Sequence, residues 1–294
     1  MKYDFIKQHP EYSVAKWAKF FGVSISGYAK HHKYKQERLM AYAELMRKVK
    51  AVFEESDGEY GADKICGLLR KTCQKCSFKI VSSMMKEMGL SSKHNRRKNR
   101  SLTDSRKSRG DGFPNLVKNL EINRPLQAVC SDITYIRSGE GWVYACVVKD
   151  IFTGIILGHA ASERMKKELV IQAFLNASAK YDFPNDLIFH SDRGSQYTSK
   201  EFMDLLKTLK IKQSFSRVAC PGDNAWAESF FATFKKCKVH FHFYPTRESI
   251  KFMMFKWIET RYNTTRVQKK LGFLSPKKFA ETFKAKTKNS ATAA

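Results

Sequence analysis

Asp132, Asp192 and Glu228 are the residues of this chain whose types and spacing could do chemistry. Asp132 interrupts the β-rich run QAVCSDITYI (127–136). A lone charge in a sheet centre costs on the order of several kcal/mol. Asp192 follows the short apolar run LIFHS (187–191) and precedes Arg193-Gly194, so it emerges at a strand's carboxyl end, where α/β sheets place ligands. Glu228 lies one turn inside a helix opened by Pro221-Gly222-Asp223-Asn224, with 35 residues between it and Asp192. If the first and fourth strands are neighbours, both aspartates meet at one sheet edge and the helix lays Glu228 beside them. Three gathered carboxylates are hard, acceptor-only oxygens that suit Mg²⁺ or Mn²⁺. Two such ions about 3.5–4 Å apart would activate a water or sugar hydroxyl and steady the leaving oxygen in a displacement at phosphorus. Lys235, seven residues after Glu228, falls two helical turns along the same face and could hold a phosphate there.

The elements that must position these acids are legible from hydrophobic period and turn residues. Strands are expected at 127–136, 142–151 and 153–160, separated by Ser138-Gly139-Glu140-Gly141 and Thr153-Gly154. A helix follows at about 163–180, a strand at 187–191, a helix at 199–209 and a strand at 212–216. Further helices are expected at about 223–238 and 247–262. Three antiparallel strands followed by alternating helices and strands give an α/β fold, an RNase H-like mixed sheet. Upstream the chain reads as all-α. In residues 11–32, Val14, Trp17, Ala18 and Phe21 keep helical spacing, Gly22 breaks the helix and Ser24 can cap the next. A second amphipathic helix is expected at 37–56. Residues 60–90 read as helix, turn, helix, which fits a DNA-reading helix-turn-helix or a plain three-helix packing unit equally. The expected organisation is a helical helix-turn-helix region over 1–91, a basic linker over 92–124, the catalytic core with carboxyl-terminal helices over 125–285 and a disordered tail over 286–294.

Charge narrows the class of partner. The 294 residues carry 54 Lys+Arg against 28 Asp+Glu, a net of +26. Residues 126–204 are slightly acidic, with 8 basic against 10 acidic side chains, while the segments on either side are each +14. A chain this basic calls for a polyanion. Carboxylates set where phosphates arrive are costly unless metal ions stand between them, so the pattern favours an enzyme acting on nucleic acid over a passive coat. The segment 92–110 holds eight Lys/Arg and one acid. Within it Arg96, Arg97, Lys98 and Arg100 read as phosphate contacts, or as a solvated tether. The longest uncharged apolar stretch, Ile151 to Ser162, is too short for the ~20 residues of a membrane helix. No secretory signal opens the chain, and seven scattered cysteines read as reduced thiols in a cytoplasm. Cys73-Gln74-Lys75-Cys76 has no second pair at zinc-finger spacing.

Four motifs in order carry a resemblance: SDITY (131–135), HSDRGSQYTS (190–199), PGDNAWAESFFATFK (221–235) and YNTTRVQKKLGFLSP (262–276). With the 35-residue gap they resemble the D-D-E catalytic core of bacterial insertion-sequence transposases, the second-frame product of the family numbered three, and are similar to retroviral integrases. The amino-terminal stretch and the segment from Tyr60-Gly61 resemble that family's helical regions. The sequence departs from it at Arg266-Val267-Gln268, where Arg-Pro-His is common, and at Ala62-Asp63-Lys64, in place of the usual Tyr-Gly-x-Arg-Arg pattern.

The resemblance implies that Asp132, Asp192 and Glu228 are the catalytic, metal-binding triad and that Lys235 contacts DNA. It implies DNA contact for Asn224 and Tyr197 and a supporting role for His190. The implied activity is cleavage at the ends of the protein's own element and attack of the freed 3′-hydroxyl on another strand, with Mg²⁺ or Mn²⁺ as a pair of ions. The implied partners are double-stranded DNA (terminal repeats and target), further copies of the chain, and the upstream-frame protein or its frameshift fusion, in a bacterial cytoplasm at the nucleoid. Two other readings stay open: a nuclease that cuts without joining, and a non-catalytic DNA-binding regulator.

Overall fold

The computed structural model describes residues 2–72, 74–93, 114–217 and 220–292, in two compact units, Met1–Ser91 and Ser92–Ala294. None of the described helices is long and apolar enough to cross a membrane.

The first unit is helical: α1 (Lys2–Gln8), α2 (Val14–Phe21), α3 (Ile25–Glu55), α4 (Ala62–Lys71) and α5 (Phe78–Glu87). The expected punctuation sets the second helix. Ser13 caps α2 by accepting from the Lys16 amide, and Gly22 ends it at φ +63°. Ser24 caps α3 by accepting from the Gly27 amide. The helix expected at 37–56 instead begins at Ile25, because no proline or glycine interrupts 28–55 and one ladder runs through. The pair α4 and α5 packs Ile65, Leu69, Val81 and Met84 inward, and Ser77 caps α5 by accepting from the Ile80 amide.

The second unit is built on a five-stranded mixed sheet in the order β3-β2-β1-β4-β5. The strands are β1 (Ala128–Ser138), β2 (Gly141–Asp150), β3 (Ile156–Ser162), β4 (Ile188–Ser191) and β5 (Lys212–Phe215). The first three pair antiparallel, while β4 runs parallel to β1 and β5 parallel to β4. This is the RNase H-like arrangement expected. Side chains alternate across a strand, so each face has its own core. Val129, Val148, Leu157 and Phe189 pack with Phe174 of α6 (Lys167–Ser178) and Phe202 of α7 (Lys200–Thr208). On the other face Ile136, Val143, Ala145 and Val147 pack with Phe230 and Phe234 of α8 (Ala225–Phe234) and Trp257 of α9 (Arg247–Trp257). Gly158 lets α6 lie directly on β3: a Cβ there would stand 2.4 Å from the Ala173 carbonyl oxygen and 2.5 Å from the Ala177 nitrogen.

Two boundaries differ from expectation. Residues 114–124, assigned to the linker, pack on this unit. The Pro114 carbonyl accepts from the Phe215 amide at 3.0 Å and Val117 is buried beneath Ala227. The tail is not frayed backbone: α10 (Pro276–Thr292) carries the chain through most of 286–294, where Ala, Lys and Thr continue a helix already started.

Candidate active site

The positions of the two aspartates follow from sheet register. The β1–β4 ladder pairs Ala128 with Ile188, Val129 with Phe189 and Cys130 with His190. Continuing that offset two positions past the last pair would bring Asp132 level with Asp192, which follows directly after β4. Both share the parity of Cys130 and His190, hence the α8 side of the sheet. The separation of 60 residues read from the sequence is thus the register offset itself.

Each carboxylate is fixed by a backbone amide. Asp132 accepts from the Ile133 N–H at 2.8 Å. Asp192 accepts from the Gly194 N–H at 3.0 Å, and a Cβ on Gly194 would lie only 3.0 Å from that same oxygen. Burial, then the charges of Asp192 and Glu228, push the half-buried Asp132 carboxyl up to about 7, against the Ile133 amide and the Lys235 ammonium. Asp192 is more open to solvent, yet the protein crowded around it still raises its carboxyl. Burial also raises Glu228, which is exposed on the first turn of α8. Lys235 begins the π-helical turn Lys235–Val239 that continues α8. Its ammonium sits 5.0 Å from the centre of the Tyr135 ring, near enough to Asp132 to oppose the rise of that acid.

Among the described residues no three His, Cys, Asp or Glu side chains stand close enough together to hold a metal ion. Asp132 and Asp192 offer the acceptor-only oxygens that suit a hard divalent cation, which would relieve the repulsion that the charge of Asp192 exerts on Asp132. The charge of Glu228 also reaches Asp132.

A buried polar row lies one step behind the aspartates. Across the sheet Lys149 pairs with Cys130, Cys130 with His190 and His190 with Ser214. His190 is fully buried, and burial pushes its imidazole down to about 4, so it is neutral. Its Nε2 donates to the Asp223 carbonyl at 3.0 Å. Its Nδ1 then accepts from the Ser214 hydroxyl at 2.9 Å, while that oxygen accepts from the Leu116 amide. His190 thus supports the turn before α8 from within the sheet. Asp223 is clamped from outside by Arg217 at 3.0 Å, which holds its carboxyl down to about 2.

Two residues expected to touch DNA are buried. Tyr197 is 1% exposed and shares a 2.8 Å hydrogen bond with Ser131, the residue before Asp132. Asn224 is 4% exposed and its Nδ2 donates to the Ser131 carbonyl at 3.0 Å. Both brace β1 at the aspartate, because each presents a polar tip to a buried segment that would otherwise lack partners. Arg96, Arg97, Lys98 and Arg100 lie outside the described residues. The residue sequence reasoning missed is Lys149, a lysine inside an apolar run; the only signal was that run's continuity, VYACVVKDI, which leaves no solvent face for a charge.

Two family domains match the chain. Residues 122–221 match an integrase core domain, a span that includes Asp132 and Asp192 and stops short of Glu228. Residues 41–98 match an HTH-like domain. The transposase for insertion sequence element IS904 of Lactococcus lactis subsp. lactis is 38% identical over 236 residues, 80% of this chain and 92% of that protein. Transposase InsF for insertion sequence IS3A of Escherichia coli K12 is 31% identical over 288 residues, 95% of this chain and 98% of that one. Among solved structures, the catalytic domain of Mos1 mariner transposase aligns with a TM-score of 0.39 at 17% identity, over 46% of this chain and 71% of that one. The HTLV-2 integrase catalytic core domain in complex with magnesium aligns at 0.38 and 17%, over 53% and 97%. On sequence identity across nearly its whole length, the chain belongs to the transposases of IS3-family insertion sequences.

Proposed function

We propose that this protein cleaves DNA at the ends of its own insertion sequence and joins the freed 3′-hydroxyl to a second strand, in a reaction that depends on a divalent cation. The observation that carries the reading is the β1–β4 register that directs Asp132 and Asp192 to one end of the sheet, with Asp132 pushed up to about 7 by burial and by the charges of Asp192 and Glu228. Like charges collected at a sheet edge are unfavourable in themselves and become useful when a cation or a phosphoryl group arrives.

Asp132 and Asp192 would hold Mg²⁺ or Mn²⁺, with Glu228 as the third donor. The ion would supply charge neutralisation at the phosphoryl oxygens and a lowered pKa for the attacking hydroxyl. The chain's own groups do the rest. The Ile133 and Gly194 amides fix the carboxylates in orientation. Lys235, stacked over Tyr135 beside Asp132, binds a DNA phosphate and favours the ionised form of Asp132. The Tyr197 and Ser131 hydroxyls are buried and bonded to each other, which takes both out of reach of the DNA as nucleophiles. The helical unit and the basic segment around Arg96, Arg97, Lys98 and Arg100 would hold the element's ends. Two ends imply more than one copy of the chain, with the upstream-frame protein or its fusion as a further partner, on DNA in the bacterial cytoplasm.

The test is an end-joining assay with a labelled oligonucleotide carrying the element's terminus and a second, unlabelled duplex. The proposal expects the labelled 3′ end to become covalently linked to the second duplex only with Mg²⁺ or Mn²⁺. Cutting without joining would make the protein a nuclease. Binding that needs no metal, with neither cutting nor joining, would make it a regulator.

A further inference from the structure

We infer that Lys149 is a positioning residue that sets the height of Glu228 above the aspartate pair by gripping the first turn of α8. The inference rests on the function proposed above. Lys149 lies on β2, an interior strand between β3 and β1, on the face covered by α8 and α9. Val143, Ala145 and Val147 occupy the same face and are buried hydrophobes. The fourth position of that stripe carries an ammonium that is 1% exposed. Burying a charge there is unfavourable and calls for a partner. The neighbouring carboxylate, Asp150, is taken by the Leu126 amide and by the Thr153 amide and hydroxyl. Among the described residues the single hydrogen-bond partner of Lys149 is the Trp226 carbonyl, at 2.6 Å.

That carbonyl is two residues from Glu228, in a helix end with no side-chain cap. Asn224, which stands at the cap position, spends its amide on the Ser131 carbonyl, and its buried Oδ1 has no hydrogen-bond partner among the described residues. The first turn of α8 is therefore held from behind, by the Asn224 amide on β1 and the Lys149 ammonium on β2. Trp226 already receives the Ser229 hydroxyl at 2.9 Å, so losing Lys149 leaves this acceptor satisfied while releasing the tether to the sheet. Burial lowers the pKa of Lys149, which makes a neutral isostere tolerable for folding. Glu228 is the group whose distance from the pair this tether controls, because the helix between them is short and rigid.

The test compares Lys149→Met, which keeps the length and loses the donor, with Lys149→Gln, which keeps a shorter donor. Hydrogen exchange is followed over 225–234 and over α9, alongside joining rates at saturating DNA. For the Met variant we expect exchange over 225–234 to rise about tenfold with α9 unchanged. Its joining rate should fall at least tenfold while Tm and half-saturating DNA concentration stay at parental values. The Gln variant should recover part of both. A merely structural lysine would instead lower Tm and speed exchange in both helices, and that result overturns the inference. So does a Met variant with parental exchange and joining. If the Met variant does not fold, the Gln variant decides on the same readouts, and failure of both to fold makes Lys149 a folding determinant and overturns the positioning role. Asp132→Asn is run in parallel: if it still joins DNA, the proposed function itself fails; if it is inactive while Lys149→Met is fully active, only this inference fails.

Discussion

Replacing Asp132 by Asn should make the protein more stable while ending its activity. In the folded state the Asp132 carboxyl titrates at about 7, against an ordinary value of 3.8. The folded value lies above the unfolded one, so between about pH 4 and 7 the folded chain keeps a proton that the unfolded chain has lost. Stability therefore falls as pH rises through that window and stays low above it. At about 1.4 kcal/mol per pH unit the full penalty is about 4 kcal/mol, and residual solvent at this half-buried side chain trims it toward 3 kcal/mol. The Asn side chain keeps an oxygen for the Ile133 N–H and removes the charge that Asp192 and Glu228 repel. For a unit of this size each kcal/mol moves Tm by about 2–4 °C, so Asp132→Asn should melt about 6–12 °C higher at pH 8. Thermal unfolding by circular dichroism between pH 4.5 and 8.5, without divalent ions, reads the difference between parent and variant. The two curves should converge at the acid end and separate as pH rises. A variant no more stable than the parent at pH 8 would refute the claim that burial and the neighbouring acids disfavour the charge on Asp132.

Three other substitutions probe different parts of the account. Lys235→Met removes the ammonium that opposes the rise of Asp132, so the Asp132 carboxyl should titrate above its parental value by carbon-13 NMR; an unchanged titration would separate Lys235 from the site. Gly158→Ala forces a Cβ into the backbone of α6 and should cost about 3 kcal/mol in urea denaturation, where a loss under roughly 0.5 kcal/mol would contradict the close approach. Tyr197→Phe deletes one buried hydrogen bond to Ser131 and should cost about 1 kcal/mol with DNA affinity unaltered; weakened DNA binding at parental stability would put the phenol back on the DNA surface.

The aspartates were legible because their chemistry and their placement share one cause. An acid inside an apolar run needs a reason, and parallel register converts sequence separation into adjacency, so Asp132 and Asp192 could be matched before the sheet order was known. Glu228 was legible as to element, since Pro221 and the helix formers after it define α8. Its distance from the pair was not, because it depends on hydrogen bonds made by Lys149 and Asn224 to segments far away in sequence. Tyr197 and Asn224 misled for the same reason. A polar residue in a motif can face a ligand or brace the residue that does, and only burial distinguishes the two. The long α3 and the helical continuation of α10 were hidden by charge, since runs of Lys lower mean hydropathy without weakening a helix.

The most direct measurement is the joining reaction itself, run with Asp132→Asn, Asp192→Asn and Glu228→Gln beside the parent, with Mg²⁺ or Mn²⁺ present and DNA binding followed in the same samples. The account predicts that each substitution abolishes joining of the labelled 3′ end while DNA affinity stays within about threefold of parental. A variant of any of the three that joins DNA at the parental rate would contradict it.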